Sequence, residues 1–240
     1  MQQSTKITPI FQDRLAECGR IAIKYNLILL CEGACNVITR ARQGSLRAKV
    51  WTEYSKAELL LKKPPSDTDS KSGMKLNTLQ KQLEDFERRV EALKVLDRVM
   101  IANKRLADAD IITEGSTLIW NIGIPLLKRT ARPQIQKPFQ SAATALETIG
   151  SNEAVLRVSL HLELAKYEID RDYLQNAISQ LRKALDIDYS LTIKQIPGDL
   201  KDDDDPADFQ RPFQKQLRFL LKKLQLKTNL YGGDPENVQD

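Results

Sequence analysis

Apolar residues recur at helical spacing through most of this chain, and this periodicity limits its fold more than any other feature. In the first segment the pattern runs through Phe11, Leu15, Cys18 and Ala22, which lie on one face of an α-helix. Glycine and aromatic residues are scarce, and no long stretch alternates β-branched with polar residues as a half-buried strand does. The sequence therefore predicts an all-α protein.

Two helices are predicted at the start of the chain. The first runs from Ile10 to Cys31 and ends near Gly33, and the second runs from about Ser45 to Leu61. Two such helices can pack against each other, so residues 1–62 are predicted to form an N-terminal helical hairpin.

Two polar segments interrupt the rest of the chain after residue 62. Residues 63–73, KPPSDTDSKSG, contain paired prolines and little that could be buried, and they predict a flexible loop. Residues 74–240 predict a helical array that an acidic loop interrupts at residues 199–206.

Within this array, residues 74–106 form the longest helical pattern. Its apolar residues follow the spacing of a coiled-coil seam: Leu76, Leu79, Leu83, Phe86, Val90 and Leu93. Because the seam covers fewer than three heptads, a long helix packed in the array is favoured over a free-standing coiled coil. Residues 113–129 predict a helix that bends where Gly123 and Pro125 interrupt it.

Residues 152–189 predict two short helices separated by the tetrapeptide IDRD. Small and large residues follow the intervals of a tetratricopeptide unit of roughly 34 residues, and these predicted packing residues are Ala165, Leu174, Ala177, Leu181 and Ala184. Alanine lets two helices approach closely, and leucine fills the gap to the neighbouring hairpin. Since one unit cannot bury its own face, the sequence predicts a tetratricopeptide-like α-solenoid of stacked helical hairpins.

The chain contains one histidine, His161, and this spacing places it at a half-buried packing position of the first helix. Acid–base catalysis needs a positioned partner, and no cysteine, serine or second histidine lies at working distance in the sequence. Glu163, Lys166, Glu168 and Asp170 are predicted to form a solvated face with local ion pairs. A non-enzymatic protein is favoured, and an enzyme built on His161 and the nearby acids is the alternative.

Metal and cofactor sites are not predicted either. Cys31 and Cys35 lie one helical turn apart, but a structural zinc site needs four ligands and only Cys18 and His161 remain. Buried structural thiols are the favoured interpretation. The acidic residues 196–209 lack the ligand spacing of a calcium-binding EF-hand loop, and no glycine-rich phosphate loop is present. The sequence therefore predicts no catalytic residue, no metal and no cofactor.

The balance of charge narrows the class of partner. A net charge of +5 favours an acidic partner but is well below that of typical nucleic-acid-binding proteins. The apolar run Leu27 to Cys31 is too short to span a bilayer. Three cysteines and the lack of an apolar signal segment favour a reducing intracellular compartment. Neither nucleic acid nor membrane is predicted as a partner.

Residues 209–233 predict a basic amphipathic helix. The candidate partner-binding residues there are Arg211, Phe213, Lys215, Leu217, Arg218, Lys222, Lys223 and Lys227. Such a helix binds calmodulin, a membrane surface or an acidic polymer such as a tubulin tail. Docking of its apolar stripe on the preceding hairpin, with its lysines solvated, is favoured over binding of any specific partner. Burial of Phe213, Leu217 and Leu220 would favour docking.

Several short motifs occur in order along residues 113–240: WNIGIPLL (120–127), KPF (137–139), ALE (145–147), LRVSLHLELAKYEIDRDYL (156–174), LRKAL (181–185) and KTNLYGGDPEN (227–237). Together they resemble motifs of the cilia- and flagella-associated protein 46 family, whose members are very large and contain tetratricopeptide repeats.

The resemblance implies a structural subunit of a projection on the central pair of microtubules in the axoneme of motile cilia and flagella. Its partners would be other central-apparatus proteins and calmodulin, and contact with the microtubule is either direct or indirect. The resemblance transfers no catalytic residue. It also implies that this chain is a piece of a longer protein.

Overall fold

A computed structural model describes residues 8–41, 44–62, 78–103, 108–187 and 206–231, with side chains in the last segment described from Gln214 to Leu230. These residues contain nine α-helices and no strand: α1 Pro9–Lys24, α2 Ile28–Arg40, α3 Leu46–Lys62, α4 Thr78–Asn103, α5 Ala109–Gly123, α6 Arg132–Thr148, α7 Ala154–Asp170, α8 Leu174–Leu185 and α9 Pro206–Tyr231. The prediction of an all-α protein of packed helical hairpins is confirmed. No helix in the described segments combines the length and apolarity needed to cross a bilayer.

The chain divides into two compact units, Met1–Leu126 and Leu127–Asp240. In the first unit, α1, α2 and α3 pack against one another, and α4 packs against both α3 and α5. Helices on both sides of the predicted loop at residues 63–73 thus belong to one unit. That loop and almost all of the acidic loop at residues 199–206 lie outside the described residues.

The predicted helix from Ile10 to Cys31 is wrong, because the chain turns at residues 25–27 and forms two helices. Asn26 has a φ of 60°, in the left-handed region that asparagine tolerates better than most residues. The amide of Leu27 donates to the carbonyl of Ala22 at 2.8 Å and closes the end of α1. Periodicity missed this turn because apolar residues continue through it.

The predicted bend at Pro125 is also wrong, since α5 ends at Gly123 and Ile124–Leu126 form a single 3₁₀ turn. Proline lacks the amide hydrogen that an α-helix needs, so the hydrogen bonds of α5 cannot continue through residue 125. In α4, by contrast, a long packed helix is observed. Leu93 and Met100 are fully buried in it, whereas Leu79 and Leu83 near its start are exposed.

Tyr54 joins three helices in the first unit. Its hydroxyl, on α3, donates to the carbonyl of Ile111 on α5 at 3.1 Å and accepts from Nδ2 of Asn103 on α4 at 3.2 Å. Burial raises the pKa of Tyr54 to about 12, so it remains a donor. A Cβ at Gly115 would lie 2.2 Å from this hydroxyl oxygen. The close approach of α5 to α3 therefore requires glycine at this position.

In the second unit, α6 packs on α7, α7 on α8, and α8 on α9. Gly150, with a φ of 59°, ends the α6 segment, and Asp172, with a φ of 61°, forms the turn between α7 and α8. The core between α7, α8 and α9 consists of Ala154, Val158, Leu162, Ala165, Ala177, Ile178, Leu181, Ala184, Ile187, Leu217 and Leu224. Each hairpin of this unit thus buries its apolar side against the next helix.

Replacing Gly115 with alanine should destabilise the first unit by about 1–3 kcal/mol, because the methyl group overlaps Tyr54. Urea unfolding followed by tryptophan fluorescence measures this directly, since Trp51 and Trp120 both belong to the first unit. Gly33→Ala is the matched control, because nothing lies within 4 Å of the added Cβ on exposed α2 surface. That variant should match the wild type or gain up to about 1 kcal/mol from helix propensity. Equal destabilisation by both changes would contradict the steric argument.

Candidate functional site

The predicted repeat-packing residues meet in the α7–α8 hairpin. Ala165 on α7 and Ala177, Leu181 and Ala184 on α8 are buried in one core cluster, and Leu174 packs against it from a half-buried position. The alanines allow the two helices to approach closely. Assignment of this hairpin to a tetratricopeptide unit stays a prediction.

His161 on α7, expected to be half-buried, is only 1% exposed and lies between α6 and α8. Its Nε2 is 3.1 Å from Oε1 of Glu147 on α6, and its Nδ1 is 2.8 Å from Oε1 of Gln180 on α8. The ammonium of Lys183 lies 3.2 Å from the same oxygen of Glu147. Both ring nitrogens therefore have partners. The sequence concealed them because Glu147 and Gln180 belong to other helices.

The charge state of this histidine follows from its surroundings. Burial lowers the pKa of His161, as do the positive charges of Lys183 and Arg157, while the Gln180 hydrogen bond and the Glu147 charge oppose the shift. A neutral ring donates from Nε2 to Glu147 and accepts at Nδ1, so the Gln180 amide nitrogen must then face the ring. The arrangement fixes the position of α7 between α6 and α8. It leaves neither ring nitrogen for a substrate.

The predicted solvated face on α7 is wrong for Glu163, which is 7% exposed. One of its oxygens lies 2.5 Å from Nζ of Lys166, and the other lies 3.6 Å from Nε of Arg132 on α6. Arg132 also pairs with Asp170, which Arg129 approaches at 3.2 Å. The prediction failed because α6 covers this side of α7. The result is a charged network that ties the two helices together.

A buried cation, Arg20 on α1, lies in the first unit. Its guanidinium pairs with Glu58 on α3 and with Oε1 of Glu114 on α5, the latter at 2.6 Å, and lies 5.7 Å from the centre of the Trp51 ring. A buried charge is tolerated only when it is partnered, and here one cation joins three helices. No local pattern in the sequence pointed to these partners.

Cys31 and Cys35 on α2 are buried free thiols, whereas Cys18 is exposed. Burial raises the pKa of Cys35 to about 12, with a smaller contribution from the neighbouring Cys31. Burial also raises the pKa of Cys31. Thiolates are the nucleophilic and metal-binding form of cysteine, so both thiols are chemically inert here. Within the described segments, no three histidine, cysteine or carboxylate side chains are grouped to hold a metal ion.

The basic helix α9 docks on the hairpin of α7 and α8. Leu217 and Leu224 are 1% and 3% exposed in its core cluster, and Leu220 and Leu221 pack against the same cluster. Nζ of Lys227 lies 2.6 Å from Oδ1 of Asp172, in the turn between α7 and α8. Of the two interpretations of this helix, docking on the preceding hairpin is the one observed for these leucines.

The candidate partner-binding residues of α9 differ in their exposure. Lys215, Arg218, Lys222 and Lys223 are exposed, whereas Leu217 cannot insert into a partner unless α9 leaves the hairpin. The side chains of Arg211 and Phe213 lie outside the described residues. The basic charge of α9 is therefore presented to solvent, while Leu217 and Leu224 of its apolar stripe are covered.

Leu217→Ala should destabilise the second unit by about 2–5 kcal/mol, because it opens a cavity where α9 meets the hairpin. Urea unfolding followed by far-ultraviolet circular dichroism should show an early transition that tryptophan fluorescence does not, since both tryptophans belong to the first unit. The matched control Leu226→Ala removes an α9 leucine that is 64% exposed and should change stability by less than about 0.5 kcal/mol. Similar losses from both variants would argue against docking.

Stability should also fall as His161 titrates. Its folded pKa lies below the ordinary value of 6.5, so the neutral histidine stabilises the fold above that pH and the contribution is lost as pH falls toward the folded pKa. The wild type should lose more unfolding free energy than His161→Gln between about pH 7.5 and about pH 5.5, measured by urea unfolding. Glutamine keeps a donor toward Glu147 while removing the titration. Parallel pH profiles for the two proteins would contradict this assignment.

Comparison with known proteins finds similarity to a ciliary protein. The chain is 31% identical over 147 residues, which is 61% of its length, to cilia- and flagella-associated protein 46 of Chlamydomonas reinhardtii, and it covers 5% of that protein. No family model matches the chain. The resemblance inferred from the short motifs is thus confirmed: the chain is similar to one part of a much longer cilia- and flagella-associated protein.

Proposed function

We propose that this chain is a structural, protein-binding module of motile cilia and flagella, and part of a larger scaffold. The observation that carries the proposal is its 31% identity over 147 residues with cilia- and flagella-associated protein 46. Packed helical hairpins suit such a role, because they present side chains on extended surfaces without needing a catalytic centre.

The use of the buried polar groups supports a non-enzymatic role. Arg20 is held by Glu58 and Glu114, and His161 lies between Glu147 and Gln180. These contacts join α1 to α3 and α5 in the first unit, and α7 to its neighbours α6 and α8 in the second. An acid–base catalyst must instead place a titrating atom within reach of a substrate. We propose that these groups hold the helices in register.

The finer assignment rests on the resemblance of the sequence motifs. In this assignment, the chain lies in a projection of the central pair of axonemal microtubules and contacts other central-apparatus proteins and calmodulin. Contact with microtubules, direct or through other subunits, belongs to the same proposal. The exposed Lys215, Arg218, Lys222 and Lys223 of α9 favour acidic protein surfaces as the binding partners.

The test is a pull-down from an extract of motile flagella, with the immobilised chain as bait and mass spectrometry of the retained proteins. We expect central-apparatus proteins to be enriched over an unrelated helical protein of similar size and basicity. Washing at low and at high salt separates contacts that depend on exposed charges from those that do not. Failure to enrich any axonemal protein, with a chain shown by circular dichroism to be helical, would contradict the proposed function.

A matched variant isolates the contribution of α9. In it, the four exposed basic residues Lys215, Arg218, Lys222 and Lys223 are changed to glutamine, which removes their charge and leaves Leu217 and Leu224 in the core. If the enriched proteins are lost with this variant and at high salt, α9 contacts the partner directly. If they are retained, the partner contacts another surface of the scaffold.

A further inference from the structure

The solvent side of α9 carries a second apolar stripe. Phe219, Leu226 and Leu230 are 72%, 64% and 82% exposed. Steps of seven and four residues are close to two turns and one turn of an α-helix, so the three side chains are aligned. Phe219 follows the buried Leu217 by two positions, a rotation of about 200° around the helix axis. The stripe therefore lies opposite the docked face.

Basic side chains flank this stripe. Lys215, Lys222 and Lys223 are exposed beside it, and residues 214–230 contain no acidic residue. Where the structure describes side chains, these lysines form no ion pair, whereas Lys227 is engaged by Asp172. The outer face of α9, defined as Lys215, Phe219, Lys222, Lys223, Leu226 and Leu230, combines aligned apolar groups with uncompensated positive charge.

This outer face is held in place before any partner arrives. Leu217 and Leu224 anchor the opposite side of the helix in the core of the second unit. Single exposed apolar residues are common on proteins and need no explanation. Three that are aligned between lysines on an anchored helix match the requirements for binding another helix, since the ordering cost is already met within the fold.

We propose that the outer face of α9 binds an acidic amphipathic helix of a partner protein. The apolar residues of the partner pack along Phe219, Leu226 and Leu230, and its carboxylates lie opposite Lys215, Lys222 and Lys223. This inference rests on the proposed role as a protein-binding module and names the chemistry of one partner. An acidic tail without apolar residues would leave the stripe in water.

The narrow width of the exposed apolar stripe decides against a lipid surface as the occupant. A helix that lies on a membrane inserts a broad apolar face between the headgroups. The broad apolar face of α9, which includes Leu217 and Leu224, is already buried on the hairpin, and the outer stripe is only one side chain wide. An opposing helix needs no more than such a stripe, because its own apolar residues complete the contact.

The test measures binding of a fluorescent synthetic helix to the whole chain by anisotropy. The probe carries leucine at the a and d positions of successive heptads, glutamate beside them and alanine elsewhere. A peptide of the same composition, scrambled so that its leucines share no face, and polyglutamate are the controls. We expect the probe to bind at least about tenfold more tightly than either control, with affinity falling as salt rises.

Variants assign the binding to the outer face. The triple change Phe219→Gln, Leu226→Gln and Leu230→Gln should weaken probe binding by about tenfold or more, and Lys222→Gln with Lys223→Gln should weaken it and reduce its salt dependence. Leu29→Gln with Leu30→Gln is the matched control, because these α2 leucines are 84% and 60% exposed. It should bind like the wild type. Circular dichroism of all three variants is the control for folding.

Three results would overturn the inference: equal binding of the scrambled peptide or polyglutamate, wild-type affinity in the triple variant, or binding to phosphatidylserine vesicles without binding to the probe. The flagellar pull-down separates this inference from the proposed function. If the wild type enriches axonemal proteins while the probe fails to bind, only the inference fails. If the probe binds as expected and no axonemal protein is enriched, only the ciliary function fails.

Discussion

The docking of α9 on the α7–α8 hairpin determines which side chains the second unit presents to its surroundings. Burial of Leu217 and Leu224 in the hairpin core fixes the rotation of the helix, and the Lys227–Asp172 ion pair holds it to the turn of that hairpin. Because the basic residues lie away from this core, the same contact that stabilises the unit turns its positive charge outward. The proposed partner chemistry follows from that rotation.

Buried polar groups provide the second constraint on both units. Buried Arg20 in one unit is held by carboxylates of α3 and α5, and half-buried Arg132 in the other is held by two carboxylates of α7. Removing a buried charge from its partners is costly, so such pairs penalise any other register of the helices. His161 acts similarly through the hydrogen bonds of its neutral ring, and its depressed pKa reflects the same burial. These residues suit a module whose task is to hold surfaces in fixed positions.

Small residues set how closely the helices approach. Gly115 leaves space for the hydroxyl of Tyr54, and Ala165 and Ala177 lie in the core that α7 and α8 share. The alanines were predicted because their intervals follow a known repeat pattern. The role of Gly115 was not predicted, because a glycine within a helix does not indicate which side chain faces it. Short-range spacing is visible in a sequence, whereas the identity of an opposing residue is not.

Helix formation, the α7–α8 hairpin and the basic character of α9 could be determined from the sequence alone, because periodicity, helix-ending residues and charge act over a few turns. The sequence-based predictions failed where the apolar periodicity continued across a turn between two helices, as at Asn26. They also failed where a neighbouring helix covered a polar face, as at Glu163. The sequence offered docking of the Leu217 stripe as an interpretation, but only the tertiary structure established that Leu217 and Leu224 are buried and that Phe219, Leu226 and Leu230 face outward. The physical reason is that both stripes suit a helix locally, and contacts with residues far away in the chain select between them.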